Sequence, residues 1–204
     1  MYNLGMIIFF DTETSGLRPG RIIQLSYVIL DGENITGKNF FFYTDYIEHS
    51  ASMVHGITVE KLFKLSGGHT FSEYVDEIQA DFDRADLTVA HNFPFDFNFM
   101  SAEFCWQDRI FKFKEKFDTM RAFTPYTKIP NKSGKGYKYP KLTELAECFC
   151  VFDYDVSRLA VKLFNDTGVS HDARFDVTQT FLCFMAACQN FEEIDNIRKN
   201  FANI

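Results

Sequence analysis

The sequence predicts an α/β protein: a mixed β-sheet, antiparallel in its first strands and parallel after them, flanked by helices. Three observations carry this. Three short apolar runs between residues 6 and 46 are joined by tight turns, as consecutive antiparallel strands are. From residue 71 onward, helix-period segments alternate with short strand-like runs. Apolar residues make up 46% of the 204 residues and charged residues 24%, a globular balance in a chain long enough for one sizeable core. There is no internal repeat or linker, so residues 1–204 read as a single domain.

The first strand is Met6-Ile7-Ile8-Phe9-Phe10, an apolar run that ends at Asp11. Thr14 to Gly20 is a turn, rich in Gly, Ser and Pro. Ile22 to Leu30 is a second strand, broken by Asp31-Gly32 as a hairpin turn would break it. Asn39 to Tyr46 is expected as the third. Phe71, Tyr74, Val75, Ile78 and Phe82 then fall at helical spacing, and Leu87 to Ala90 is a short strand. Pro94 suits the first turn of a helix running through Phe97, Met100 and Phe104. Phe117-Asp118 ends a further weak strand. Leu142–Phe149, Val156–Phe164 and Phe175–Cys188 read as helices, the last with Val177, Phe181, Phe184, Met185 and Cys188 on one side.

Composition narrows the function classes. The longest apolar runs are about half of the roughly 20 residues a membrane span needs. The N-terminal MYNLGMIIFFDTE has no basic flank and meets an acidic pair at once, unlike a signal peptide. Five cysteines, an odd number without zinc-ribbon or disulfide spacing, read as reduced thiols in a core and point to the cytoplasm. The net charge of -7 argues against coating nucleic acid by charge alone. It is compatible with a carboxylate cluster that binds cations beside one local basic patch. The 25 phenylalanines read as core filler before base-stacking groups.

Acids recur at element ends in three places. Asp11 and Glu13 are two apart at the end of the first strand, so both carboxylates leave one face. Such a pair is tolerable with a cation between its members; a solvated strand end is the alternative. Asp96 lies about one turn into a helix that follows a strand, where helix capping would also explain it. His171 precedes the last long helix and Asp176 lies in its early turns. Hard oxygen ligands of this kind select Mg²⁺ or Mn²⁺ over zinc. Two such ions stabilise the attacking and leaving oxygens of phosphodiester cleavage, and a neutral His can take the proton from the attacking water.

The stretches that hold these acids are FFDTETSGL (Phe9 to Leu17), VHGIT (Val54 to Thr58), VAHNFPFDFNFM (Val89 to Met100), YPKLTEL (Tyr139 to Leu145) and HDARFDVTQT (His171 to Thr180). In this order they resemble the DEDDh, or DnaQ-like, 3′–5′ exonucleases, the family of the proofreading epsilon subunit of bacterial replicative polymerase. The resemblance covers roughly residues 6–188. It implies an RNase H-like fold, two divalent ions (Mg²⁺ or Mn²⁺) per site, and hydrolysis that releases nucleoside 5′-monophosphates. It makes Asp11, Glu13, Asp96 and Asp176 the metal ligands and His171 the general base, because the spacing H-x-x-x-x-D selects the His branch over the Tyr branch. It places Thr12, Thr14, Leu17, His55, Asn92, Lys138 and Tyr139 against the substrate. Thr14 would sit beside the terminal 3′-hydroxyl, and Leu17 would wedge against its base. For His55 a packing role is the alternative.

Tyr126 to Lys141 carries five Lys, three Tyr and no acid, and its Gly and Pro content argues against helix or strand. Basic groups interleaved with aromatics suit a single-stranded backbone with bases to stack, although a solvated loop has the same composition. Together with the exonuclease resemblance, which implies action at a 3′ end, the expected partner is the 3′ end of a single strand, DNA favoured over RNA. Exoribonuclease action on RNA 3′ ends, and a non-catalytic nucleic-acid-binding module of the same fold, are the alternatives. Only about 16 mostly polar residues follow Cys188, where the proofreading subunit carries a polymerase-binding extension. That departure counts against stable polymerase association.

Overall fold

The computed structural model of the chain describes residues 5–17, 20–166 and 171–202, the side chains of 201 and 202 excepted. Five strands form one sheet: β1 (Met6–Thr14), β2 (Ile22–Asp31), β3 (Asn34–Phe41), β4 (Leu87–Ala90) and β5 (Glu115–Asp118). Their order is β3-β2-β1-β4-β5. β2 runs antiparallel to β1 and β3, while β4 and β5 run parallel to β1 and to each other. This is the mixed sheet expected, with the antiparallel hairpins first.

β1 is the middle strand and is covered on both faces, which is why its sequence is a continuous apolar run rather than an alternating one. Its period of two divides the core. Met6, Ile8 and Phe10 face a cluster with α3 (Val75–Arg84) and α4 (Phe93–Cys105). Ile7 and Phe9 face a second cluster with α7 (Leu142–Cys148), α8 (Asp153–Phe164), α9 (Ala173–Asn190) and α10 (Glu192–Ala202). The phenylalanines are largely core: Phe9, Phe10, Phe42, Phe71, Phe82, Phe104, Phe123 and Phe184 are all fully buried. Phe9 meets Phe181 and Phe184 of α9 edge-on at 5.1 and 5.2 Å, in geometry worth about 0.5–1.5 kcal/mol per pair beyond area burial.

Several elements differ from expectation. The third strand begins at Asn34, not Asn39, because Gly32 (φ 59°) turns the chain in two residues and Asn34 pairs at once with Asp31. β3 is an edge strand and half-exposed, so its first residues need not be apolar. The segment from Phe71 splits into a 3₁₀ turn (Phe71–Glu73) and α3. The helices α1 (His49–His55) and α2 (Val59–Ser66) were not expected, nor were the single turns α5 (Thr119–Ala122) and α6 (Thr124–Thr127). The polar C-terminal stretch forms α10, which buries Ile194. Arg18 and Pro19 of the first turn, and residues 1–4 of the N-terminal reading, lie outside the described residues. All five cysteines are free, but Cys105, Cys148 and Cys150 are exposed and only Cys183 and Cys188 belong to the core. No described helix is long and apolar enough to cross a membrane.

Candidate active site

The alternation that divides the core also builds the site. Asp11 and Glu13 continue the face of β1 that carries Ile7 and Phe9, so they meet the helix that Phe9 packs on. That helix, α9, turns Phe181 and Phe184 toward Phe9 and brings Asp176, one to two turns earlier, opposite the two acids. Carboxylate oxygens of Asp11, Glu13 and Asp176 all lie within 4.8 Å of one another. Thr12 points the other way. Its amide and hydroxyl both donate to Asp96 Oδ1, at 3.0 and 2.7 Å. Asp96 therefore does not cap α4; it ties that helix across to the first strand, fully buried.

The electrostatics are those of acids crowded in a half-buried cluster, with Asp96 fully buried behind it. Burial first, then the carboxylates of Asp96, Asp176 and Glu13, push the Asp11 pKa well above the usual carboxylate range. Burial and then the charge of Asp176 raise Glu13 to about 9. Asp96 and Asp176 are each raised to about 7, by burial in the first place. Bringing four such groups together is unfavourable unless cations neutralise them, and the donor set is entirely hard oxygen, which fits Mg²⁺ or Mn²⁺.

Residues that the sequence did not single out hold the start of α9. Asp172 is the N-cap and accepts the Arg174 amide at 3.0 Å. The Arg174 guanidinium grips Asp172 at 2.9 and 2.7 Å and Asp166 at 2.6 Å. Gln24, fully buried on β2 and paired with Glu13 in register, donates to Asp172 Oδ1 at 3.0 Å and to Asn39 Oδ1 at 2.8 Å. A glutamine inside the apolar run Ile22 to Leu30 was the available signal, since a buried amide needs partners.

The remaining predicted residues fall as follows. His171 is exposed, adopts a left-handed backbone (φ 63°) and donates its N–H to Asp176 Oδ2 at 3.2 Å. Thr14 is buried and its hydroxyl closes the turn on the Gly16 carbonyl at 3.2 Å. That turn is drawn tight: a Cβ on Gly20 would lie 2.1 Å from the Gly16 oxygen and 2.9 Å from the Phe99 ring. Leu17 stands out from it, 71% exposed. In VHGIT, Gly56 (φ 68°) ends α1 in the left-handed conformation and Thr58 caps α2. His55 accepts the Ile57 amide on Nδ1 at 3.1 Å, and its buried Nε2 has no partner among the described residues. Burial, with the charges of Lys61 and His171, lowers its pKa.

Asn92 also takes a left-handed backbone (φ 69°) at the head of α4, its amide bound to Asp118 Oδ1 at 3.2 Å. Beside it His91, held neutral by burial with a pKa near 4, bridges the Thr119 hydroxyl at 3.0 Å and the Pro140 carbonyl at 3.1 Å. That bridge anchors the base of the Lys/Tyr segment. Lys138 is paired to both oxygens of Glu144, at 2.5 and 2.6 Å, so its charge is already engaged. Tyr139 is exposed, with the Arg121 guanidinium 5.9 Å from its ring centre. Lys128, Lys132, Lys135 and Lys141 make no ion pair among the described residues, and a Pro130–Tyr137 bridge folds the segment into a small hairpin.

Known proteins point the same way. The chain is 32% identical to the DNA polymerase III epsilon subunit of Rickettsia felis over 102 residues, 47% of this chain and 43% of that protein. It is 28% identical over 186 residues to the PolC-type DNA polymerase III of Mycoplasmopsis pulmonis, covering 88% of this chain and 11% of that one. It thus spans less than half the length of these relatives. In fold it resembles E. coli Exonuclease I, solved with a dA16 oligonucleotide, at a TM-score of 0.71 with 16% identity, over 95% of this chain and 42% of that one. The family model RNase_T, described as exonuclease, matches residues 8–151, which hold Asp11, Glu13 and Asp96; α9 adds Asp176 from beyond that span. The chain belongs to this exonuclease family.

Proposed function

We propose that the protein is a metal-dependent 3′–5′ exonuclease of the DEDDh type, cytoplasmic, that removes nucleoside 5′-monophosphates from single-stranded nucleic acid, DNA before RNA. One observation carries the reading: the oxygens of Asp11, Glu13 and Asp176 converge within 4.8 Å, in a setting that makes each of them hard to ionise alone.

In this reading Asp11, Glu13 and Asp176 would hold the first divalent ion, and Asp11 with Asp96 would organise the second. When bound, the pair of ions supplies Lewis-acid polarisation of the attacking water and of the departing 3′-oxygen. The chain's own residues do the rest. Thr12 fixes Asp96 by two hydrogen bonds, so that carboxylate needs no reorganisation. His171, exposed beside Asp176, takes the proton from the water. The water oxygen forms a new bond to phosphorus and the bond to the 3′-oxygen breaks. The products are a nucleoside 5′-monophosphate and a strand shortened by one residue. The buried turn at Thr14 and the protruding Leu17 face the terminal nucleotide. Lys128, Lys132, Lys135 and Lys141, with Tyr137 and Tyr139, guide the strand behind it.

The test is incubation of purified protein with 5′-labelled single-stranded DNA and RNA, in Mg²⁺, Mn²⁺ or EDTA. The expected result is a ladder shortening from the 3′ end, metal-dependent and faster on DNA. Binding with no shortening in any metal would mark a binding module instead.

A further inference from the structure

A cleft of about 640 Å³ runs along the outside of α4, beginning at Leu17 and Phe95. Leu17 lies four residues beyond Glu13 and Phe95 immediately precedes Asp96, so the near end of the cleft is formed by the two segments that carry those carboxylates. It continues past Phe99 and Ala102 to Trp106. These positions follow one face of the helix: 95, 99, 102 and 106 are spaced four, three and four apart. At 1.5 Å per residue the row is about 16 Å long, against about 3.4 Å between stacked bases of one strand. It is therefore longer than a terminal nucleotide requires.

The far end of the row is built as an aromatic surface. Trp106 follows the last residue of α4 and is 50% exposed. The Arg21 guanidinium lies over one side of its ring, 4.5 Å from the centre. Arg21 is not free to leave. Its Nε and Nη2 donate to the two oxygens of Glu103, both at 2.9 Å, and Glu103, buried, also accepts the Ile22 amide at 3.0 Å. The indole is thus backed by a fixed cation, with its remaining surface on the cleft. A half-exposed tryptophan held in this way is preorganised to stack a flat partner.

We propose that Trp106 is a stacking platform for a nucleobase upstream of the terminal nucleotide, on a single strand whose 3′ end occupies the site. This rests on the exonuclease reading above. The occupant follows from continuity: a chain that enters at the carboxylates and extends along the cleft meets Leu17, Phe95 and Phe99 first and Trp106 last. The Arg21 cation backing the ring also suits a polyanion passing over it.

Trp106 is the sole tryptophan of the chain, so its emission reports this position directly. The whole protein in EDTA would be titrated with a ten-residue oligothymidylate. Trp emission would be read with unlabelled strand and affinity by anisotropy of a 5′-labelled one. The same strand would carry a single abasic residue at each of its last seven positions in turn, which spans the roughly five base steps that 16 Å allows. We expect the intact strand to change the emission. One internal abasic position should remove that change and weaken binding about tenfold, within the range of one stacked base. Trp106→Ala should weaken binding by the same factor and no longer respond to that abasic position, while Trp106→Phe should retain most of the affinity. If the strand binds, and is shortened from its 3′ end with Mg²⁺, while the emission is unchanged and Trp106→Ala binds like the parent, the platform is refuted and the exonuclease reading stands. A loss confined to the terminal abasic position also refutes it. A protein that neither binds nor shortens the strand refutes both.

Discussion

Glu13→Gln should stabilise the metal-free protein while disabling it. Glu13 is held at about 9 in the folded chain against an ordinary 4.5. Between those values the folded state binds a proton that the unfolded chain has given up, so stability falls as pH rises through that window. At about 1.4 kcal/mol per pH unit, the cost at pH 8 is about 5 kcal/mol. Glutamine has no proton to lose, so the variant escapes this cost. Its gain over the parent should be close to zero near pH 4.5 and grow to as much as about 5 kcal/mol by pH 8. In a chain of this size that corresponds to about 10–20 °C in melting temperature. The assay is thermal or urea unfolding in EDTA from pH 4.5 to 8.5. Saturating Mg²⁺ should narrow or reverse the order, because binding at a hundred times Kd adds about 2.7 kcal/mol to the parent, while the variant lacks one ligand. A variant no more stable than the parent at pH 8 in EDTA, or a difference that does not change with pH, would refute the account of crowded carboxylates.

Other expectations are briefer. Asp11→Ala should lower turnover by several orders of magnitude, whereas His171→Ala should cost about 10²–10⁴-fold and leave the Mg²⁺-induced rise in melting temperature intact; wild-type turnover in His171→Ala at neutral pH would make that residue structural. A strand ending in a 3′-phosphate, or a circular single strand, should resist, and efficient cutting of the circle would show an endonuclease. Because Lys138 is already paired with Glu144, replacing Lys128, Lys132, Lys135 and Lys141 together should flatten the salt dependence of binding by about 0.7 in log–log slope for each phosphate no longer neutralised, and Lys138→Ala alone should not. Gln24→Ala should raise the Mg²⁺ concentration needed for half-maximal protection against unfolding, since it removes one of the bonds that hold Asp172 and leaves the Ala173 amide without its acceptor at the start of α9; an unchanged titration would deny Gln24 a positioning role.

What could be read in advance depended on whether a residue's partner was near in sequence. The run 6–10 read as a buried strand because five consecutive apolar residues can be buried only where both faces are covered, and its period of two placed Asp11 and Glu13 together; its central place in the sheet came only with the structure. The pairing of Thr12 with Asp96 spans 84 residues and left no local trace, so helix capping stood as an equal explanation of that acid. α1 and α2 were passed over although their punctuation was present, with Gly56 ending one helix and Thr58 opening the next; only Leu62 and Ser66 of α2, and no residue of α1, are buried, so the apolar period was faint. The early start of β3 was hidden for the opposite reason, because an exposed edge strand has no apolar face to announce it. Lys138 looked like part of a basic tract until Glu144, six residues on, proved to hold it.

The docking of α9 on β1 has a consequence for how the molecule is made. Asp176 follows Asp11 by 165 residues, and it reaches the other acids only when Phe181 and Phe184 seat against Phe9. At 5–20 residues per second of synthesis, about ten to thirty seconds separate the emergence of these two acids from the ribosome. Throughout that interval the nascent chain lacks the full set of carboxylates. The carboxylate cluster of this exonuclease-family chain thus stays incomplete, beside the single-stranded message, until that message has been read past Asp176.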